Sequence, residues 1–330
     1  MTTTTHRERL ADAIAGRAPD RPPISLWRHF GGIDQSVESL VAATVEFQER
    51  HDFDFVKFMP TGTYTIMDWG AETVWEPNPR GIRTVLTLPV RRPRDWDMLQ
   101  PLDVGKGQLG LVNEALATTI RTLGPDVPVL QTIFSPLATA RKLAGPAALA
   151  HLRQDPAAFE RGMETITALT ADLIRVALEA GAGLFYAVQS GSADVLTREE
   201  FERWEGAYAR RLLEPLHQGV TVLLHSHGDH LWFEEILTWP VSILNWHDRA
   251  AGPGLREARK RTPRALAGGL DAWGVLRTGR IEDVRGQVAD AVAQVERGLI
   301  VTPGCVIPSD SAPHLIQAAR DAVDIVPARA

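Results

Sequence analysis

Short apolar runs alternate with amphipathic stretches along almost the whole chain, and the alternation predicts strands separated by helices. A short helix over residues 9–15 is stopped by Asp20-Arg21-Pro22-Pro23, which leads into a first strand at 24–27. Ser36 is placed to N-cap a helix reaching about residue 49, and 54–59 reads as a second strand. Residues 60–100 break the rhythm with glycine, proline and tryptophan, and within them 83–88 reads as an excursion strand of a hairpin or flap. Helical pattern returns over 111–123. Further strands are predicted at 127–133, 183–188, 220–224, 241–245, 264–268 and 299–302. Helical segments fill the intervals. They run from 136 to 180, where Phe159, Ile166, Leu169, Leu173 and Val176 share one face, and then from the capping box Thr197-Arg198-Glu199-Glu200 to about 216. Shorter helices follow at 232–237, 255–260, 284–295 and 312–323.

Eight strand-then-helix units predict an α/β fold, a parallel (β/α)8 barrel, as one domain over 1–330. A dinucleotide-binding sheet is the weaker reading, because no Gly-x-Gly-x-x-Gly follows an early strand and no Walker loop is present.

In such a barrel the chemistry sits where strands end. The predicted strand ends here carry Arg28-His29, Thr61, Gln131, Gln189-Ser190, His225-Ser226-His227-Gly228-Asp229, Asn245-Trp246-His247-Asp248, Asp271 and Cys305. Polar and titratable groups thus collect on one rim. His225, His227 and the lone Cys305 can place three nitrogen or sulfur donors around one zinc ion. Read structurally instead, a single cysteine is a small buried hydrophobe. Each of the others also has a structural alternative: Arg28 in a rim salt bridge, His247-Asp248 as a loop pair, and Asp271 as the cap of the next turn. Lys57 either points into the barrel, where burial would depress its pKa, or pairs with a carboxylate. Trp27, Trp69, Trp75, Trp246 and Trp273 are candidate pocket walls as well as packing surface. His230 and His314 are expected on the surface, and His51, His151 and His217 receive no role.

Composition narrows the partners. Hydrophobic residues make up 44% and charged residues 23% of 330, the balance of a soluble globular protein. A net charge of −6 without a basic stripe argues against nucleic acid, and no apolar run approaches a membrane span. One cysteine excludes an internal disulfide and suits a reducing cytoplasm. The Thr-rich start has no signal-peptide apolar segment and is expected to fray. Lysine is scarce beside arginine.

With these residues in view, the chain resembles the uroporphyrinogen decarboxylase superfamily over nearly its whole length. The resemblance rests on Ala18-Pro19-Asp20-Arg21-Pro22-Pro23 before a strand ending at Arg28, on Val188-Gln189-Ser190, Leu244-Asn245-Trp246 and Ala267-Gly268-Gly269-Leu270-Asp271, and on Pro303-Gly304-Cys305 with Pro308. It implies a (β/α)8 barrel with its cleft at the C-terminal rim. True uroporphyrinogen decarboxylases carry Arg-Gln-Ala-Gly-Arg, whose two arginines grip substrate carboxylates; this chain reads Arg28-His29-Phe30-Gly31-Gly32. Their Phe-Ser-Asp is replaced by Phe58-Met59-Pro60-Thr61, and their C-terminal His by Cys305. The zinc-dependent branch, which moves methyl groups from a corrinoid to coenzyme M, carries His-x-Cys after strand five and Cys after strand eight. His225-x-His227 and Cys305 match those positions, with one Cys become His.

The resemblance therefore implies zinc held by His225, His227 and Cys305, activating a thiolate or water for methyl transfer to or from a thiol, with a corrinoid as donor or as a partner protein's cofactor. Arg28 would hold a substrate carboxylate or phosphate beside Gln189, Ser190 and Trp246. His247, Asp248 and Asp271 are the acid–base candidates, and Asp229 or Asp248 would orient the imidazoles. The alternatives are a metal-free decarboxylase, with Arg28 as anchor and His247 or Asp271 as proton donor, and a non-catalytic tetrapyrrole- or corrinoid-binding protein. Members of the family are often dimers, so a homodimer is a further expectation.

Overall fold

The computed structural model describes residues 4–216 and 219–325. Nine strands are described: β1 (Val56–Phe58), β2 (Glu72–Val74), β3 (Thr84–Thr87), β4 (Val129–Phe134), β5 (Gly183–Val188), β6 (Val222–Ser226), β7 (Ile243–Asn245), β8 (Ala265–Leu270) and β9 (Leu299–Pro303). Seven of them form one curled parallel sheet in the order β1-β4-β5-β6-β7-β8-β9. β2 and β3 pair antiparallel as a separate hairpin, the excursion expected between 60 and 100.

β4 and β8 are buried at every position, as parallel strands covered on both faces must be. Their sequences, Val-Leu-Gln-Thr-Ile-Phe and Ala-Leu-Ala-Gly-Gly-Leu, lack the alternation of a half-exposed strand. Helices cover the outside. The longest, Pro156–Glu179, turns Phe159, Ile166, Leu169 and Leu173 inward; Val176, which shares their spacing, is half-buried.

The strand predicted at 24–27 is not a ladder strand. It contributes a single parallel bridge, Ile24 to Val301. The Ile24 N–H is spent on the Asp54 carboxylate instead of a neighbouring strand, and Pro22 and Pro23 before it have no N–H to extend the ladder. The segment still joins both ends of the sheet. Ser25 N–H donates to Val301 O (3.1 Å), Val301 N–H to Pro23 O (2.8 Å), and Asp54 N–H to Ile24 O (2.8 Å).

Asp54 pins this junction from below. Its buried carboxylate accepts from Arg9 (2.7 Å), Arg21 (2.6 Å) and the Ile24 N–H (2.7 Å). Asp20-Arg21-Pro22-Pro23 thus acts in the architecture, at the face opposite the strand ends. Thr5, in the run expected to fray, N-caps the first helix with Glu8 in a capping box, while residues 1–3 and His217 lie outside the described residues. The helix opened by the predicted Thr197–Glu200 box passes through a π-helical turn at Glu202–Gly206 before continuing to Leu213. No helix of the described residues is long and apolar enough to cross a membrane.

Candidate metal centre

β6 ends in His225-Ser226 and is followed by His227; β7 ends in Asn245 and is followed by Trp246 and His247; β9 is followed by Gly304-Cys305. The parallel register sets His225 beside Asn245. One ligand atom from each of His225, His227, His247 and Cys305 lies within 4.8 Å of the others. His225 is buried, His247 and Cys305 half-buried, and His227 exposed. The three predicted donors are brought together, and His247, expected as an acid–base group, joins them as a fourth.

The spacing suits a tetrahedral ion. Bonds of about 2.05 Å to nitrogen and 2.3 Å to sulfur give tetrahedral edges of about 3.3 Å between nitrogens and about 3.6 Å between nitrogen and sulfur. His227 Nδ1 and His247 Nε2 are 3.2 Å apart, and His225 Nε2 and Cys305 Sγ 3.7 Å.

The tautomer of His225 is set by a neighbour. Asn245 Nδ2 lies 3.0 Å from Ala267 O, 3.2 Å from Thr302 Oγ1 and 3.1 Å from Pro303 O, so the amide nitrogen faces acceptors. Its Oδ1 then accepts the His225 Nδ1 proton at 2.6 Å. Nε2 is left with a free lone pair aimed toward the Cys305 sulfur. Burial, then Lys57 and the two neighbouring imidazoles, push the His225 pKa well down; burial also lowers His227 and His247. Three neutral imidazoles are what a metal needs. Burial raises the Cys305 thiol, an effect that direct coordination would overcome.

These donors line a cavity of about 530 Å³. Its other walls include Lys57, Met59, Thr132, Phe134, Lys142, Phe185, Gln189 and Val306, with Arg80, Ile82 and Trp273 toward the mouth. No carboxylate of the described residues lines it.

Several sequence candidates lie elsewhere. Arg28 packs its guanidinium against Phe47 (5.1 Å to the ring centroid), reaches Ser309 O at 3.4 Å, and does not line the cavity. Trp246 is buried, donates to Pro253 O (2.8 Å) and packs edge-on against Phe233. Ser190 is buried and its Oγ accepts from Arg141 (2.9 Å), which also donates to Gln189 O (3.2 Å). Asp248 turns both oxygens to the Gly269 N–H (3.1 Å each), and burial raises its pKa to about 6. Asp271 caps its own turn through Trp273 N–H and Gly274 N–H (3.0 Å each), the structural alternative weighed for it. Of the two acids expected to orient the imidazoles, Asp248 is spent on Gly269, and Asp229 acts on His227 and His247 through charge without a hydrogen bond to either; the amide of Asn245 orients His225 instead. Among the candidate tryptophans only Trp273 lines the cavity. His230 is exposed and pairs with Asp194 (2.9 Å), as expected of a surface residue.

Residues 5–325 match the uroporphyrinogen decarboxylase (URO-D) family, and the chain belongs to it. A methylcobamide:CoM methyltransferase, MtbA, of Methanosarcina acetivorans is 21% identical over 352 aligned residues, covering 97% of this chain and 99% of that protein. A solved methyltransferase from Methanosarcina mazei superposes with a TM-score of 0.85 at 17% identity, over 98% of this chain and 99% of its own. A B12-independent methionine synthase from Shewanella, solved with selenomethionine, gives a TM-score of 0.57 at 10% identity, over 92% and 96%. At these identities the solved structures support the fold, an α/β sheet of the URO-D type.

Proposed function

We propose that this chain is a zinc-dependent methyltransferase that moves a methyl group between a thiol and a corrinoid-linked donor. The observation that carries the reading is the four-donor cluster, His225, His227, His247 and Cys305, on the wall of a cavity at the strand ends. The 24–27 segment is read as the remnant of an eighth strand, which would make the sheet the (β/α)8 barrel of the family. A methylcobamide methyltransferase among the relatives supports a corrinoid, free or on a partner protein, as the methyl source. A cytoplasmic location is part of the proposal, since the lone cysteine suits a reducing compartment. A homodimer is proposed from the resemblance alone.

Bound zinc would supply Lewis acidity that keeps a coordinated thiol deprotonated at neutral pH. The residues do the rest. His225, fixed by Asn245, presents Nε2 as a neutral donor at the buried end of the cluster. Cys305 gives the one anionic ligand, so the set is less thiolate-rich than a His-Cys-Cys site. His227 and His247 stand at the open side of the cluster, where the His247 imidazole, kept neutral by burial, would be within reach to take up the proton of an incoming thiol. Phe185, Phe134 and Met59 keep the cavity wall apolar and limit water.

The metal-free decarboxylase reading loses its anchor, because Arg28 faces Phe47 and not the cavity. The test is elemental analysis of the purified protein beside His225→Ala and Cys305→Ser, with methyl transfer from methylcobalamin to a thiol followed by the cobalamin spectrum. Near-stoichiometric zinc in the wild type, lost in both variants together with transfer, is expected. Zinc content unchanged by either substitution would remove the assignment; zinc retained with no transfer would point to the non-catalytic corrinoid-binding alternative.

A further inference from the structure

We propose that Lys57 is a nucleophilic amine that captures small aliphatic aldehydes and ketones as an imine inside the strand-end cavity. This chemistry is separate from methyl transfer and needs no metal ion.

The strand places the amine. Side chains alternate along β1, so Lys57 and Met59 share the face that lines the cavity, while Phe58 between them is fully buried and does not. Parallel pairing sets Lys57 beside Leu130 and Leu130 beside Gly183, whereas His225 pairs with Ala187. Lys57 therefore starts deeper in the sheet than the donor cluster, and its side chain forms part of the cavity floor. Its Nζ sits 3.7 Å from the Phe185 ring centroid and 5.3 Å from that of Trp27. Among the described residues no hydrogen bond or ion pair holds this nitrogen. Nor is it sealed away like the orphaned amide of Gln131; it opens on the cavity.

Of the two roles the sequence leaves open for Lys57, the structure shows the buried one without a carboxylate. An unpaired ammonium in such a place gives up its proton more readily than it stays charged. Burial brings the Lys57 pKa down to about 7, against a small opposing effect of Cys305. About half of it is then free amine at neutral pH, compared with less than about one part in a thousand of an ordinary lysine. A lysine desolvated in an apolar pocket is an activated nucleophile. Lys142, on the helix Pro136–Ala144, is the second amine of the lining. It is half-buried, with Nζ 4.1 Å from the Phe134 centroid, and burial with Arg141 lowers its pKa only to about 8. It ranks behind Lys57.

The surroundings set the class of ligand. Met59, Phe134, Phe185 and Ala187 give apolar walls to a cavity of about 530 Å³, which suits a short aliphatic chain. A carbonyl compound needs no co-reactant. The lysine nitrogen adds to the carbonyl carbon, both N–H protons pass to the carbonyl oxygen, the C–O bond breaks and water leaves, and a C=N bond remains.

The test treats the purified protein at pH 7 with acetone and cyanoborohydride, whose hydride goes to the imine carbon and fixes an isopropyl group on the nitrogen. Peptide mass mapping then compares the four lysines of the chain, of which Lys106 and Lys260 are exposed. Lys57 should be labelled at least about ten-fold faster than either, with Lys142 between, and the lead should vanish in urea. Its rate should level off above about pH 7, while that of Lys106 keeps climbing. Lys57→Met should lose the fast label and leave Lys106 and Lys260 reacting as in wild type. Lys57 labelled no faster than Lys106, or a lead that survives unfolding, would overturn the site. Zinc content and methyl transfer are read separately, so the failure of either proposal leaves the other standing.

Discussion

Asn245 Oδ1 accepts the Nδ1 proton of His225 at 2.6 Å while the Asn245 amide nitrogen faces three acceptors, so the carboxamide cannot flip without losing them. The amide fixes both the tautomer and the ring plane of the only fully buried imidazole in the cluster. Replacing it by Ala should lower zinc affinity about 10- to 100-fold, measured by competition with a chromophoric chelator. Asn245→Asp keeps the acceptor but sets a carboxylate against the carbonyls of Ala267 and Pro303, and should destabilise the fold more than Asn245→Ala. Affinity unchanged in Asn245→Ala would show that the ring is held by other means.

Burial ranks the four donors. His225 is held on both sides, whereas His227 is exposed and its imidazole touches only His247 by a polar contact. A ligand already locked in place contributes more than one that must be ordered on binding. His225→Ala should therefore weaken zinc binding more than His227→Ala, by roughly ten-fold or more. The same chelator competition checks the order, and the reverse order would mean that the mouth, not the buried end, holds the ion.

Glu205 lies in the π-helical turn, fully buried, and neither of its oxygens has a geometric hydrogen-bond partner. Burial raises its pKa to about 8, with Ser135 and Arg141 opposing the rise. The sign of the linkage follows. The folded state keeps this proton up to about pH 8, whereas an unfolded glutamate loses it near its ordinary 4.5. Wild-type stability should fall as pH rises across that window. Glu205→Gln removes the effect, so the variant should gain on wild type from pH 4.5 to 8, by up to several kcal/mol. Denaturant unfolding at pH 5 and pH 8 measures the gap. A gap that does not widen with pH would show that the carboxyl is solvated or paired in the folded protein.

Much of the site was legible because a parallel sheet converts sequence order into spatial adjacency. Once β6, β7 and β9 are assigned, His225, His227 and Cys305 fall on one rim wherever the exact ends lie. His247 was legible as a rim residue but not as a donor, since His-x-His and a distant Cys already made a plausible triad. Asn245 stood at a strand end and gave no chemical signal, because an amide's role depends on which way it is turned. Arg28 misled for a similar reason: the sequence places it at a strand end, but packing against Phe47 decides its direction. Lys142 lies on the helix Pro136–Ala144, nearly two turns past its start, where the rim rule does not look. Its rarity was the available clue. The first strand shrank to a single bridge because the Ile24 N–H goes to the Asp54 carboxylate, a tertiary contact that strand patterning does not show.

Trp75 explains why the second signature arginine is absent. A Cβ built on Gly31 would come within 2.1 Å of the Trp75 ring, and one on Gly32 within 2.6 Å of its indole nitrogen. Gly32 also has φ +84°, a left-handed conformation that favours glycine. The indole, just after β2, thus lies flat on two glycines and ties the β2–β3 hairpin to the loop after Arg28. Restoring the family residue as Gly32→Arg should not create a carboxylate grip. It should expel Trp75 and cost about 1–3 kcal/mol, with Gly31→Ala costing a similar amount without any change of charge. Trp75→Ala should relieve the clash, so that Gly32→Arg costs less in that background. Urea unfolding of the four proteins in a double-mutant cycle gives the coupling, and additive effects would mean that the hairpin is held by contacts other than this indole.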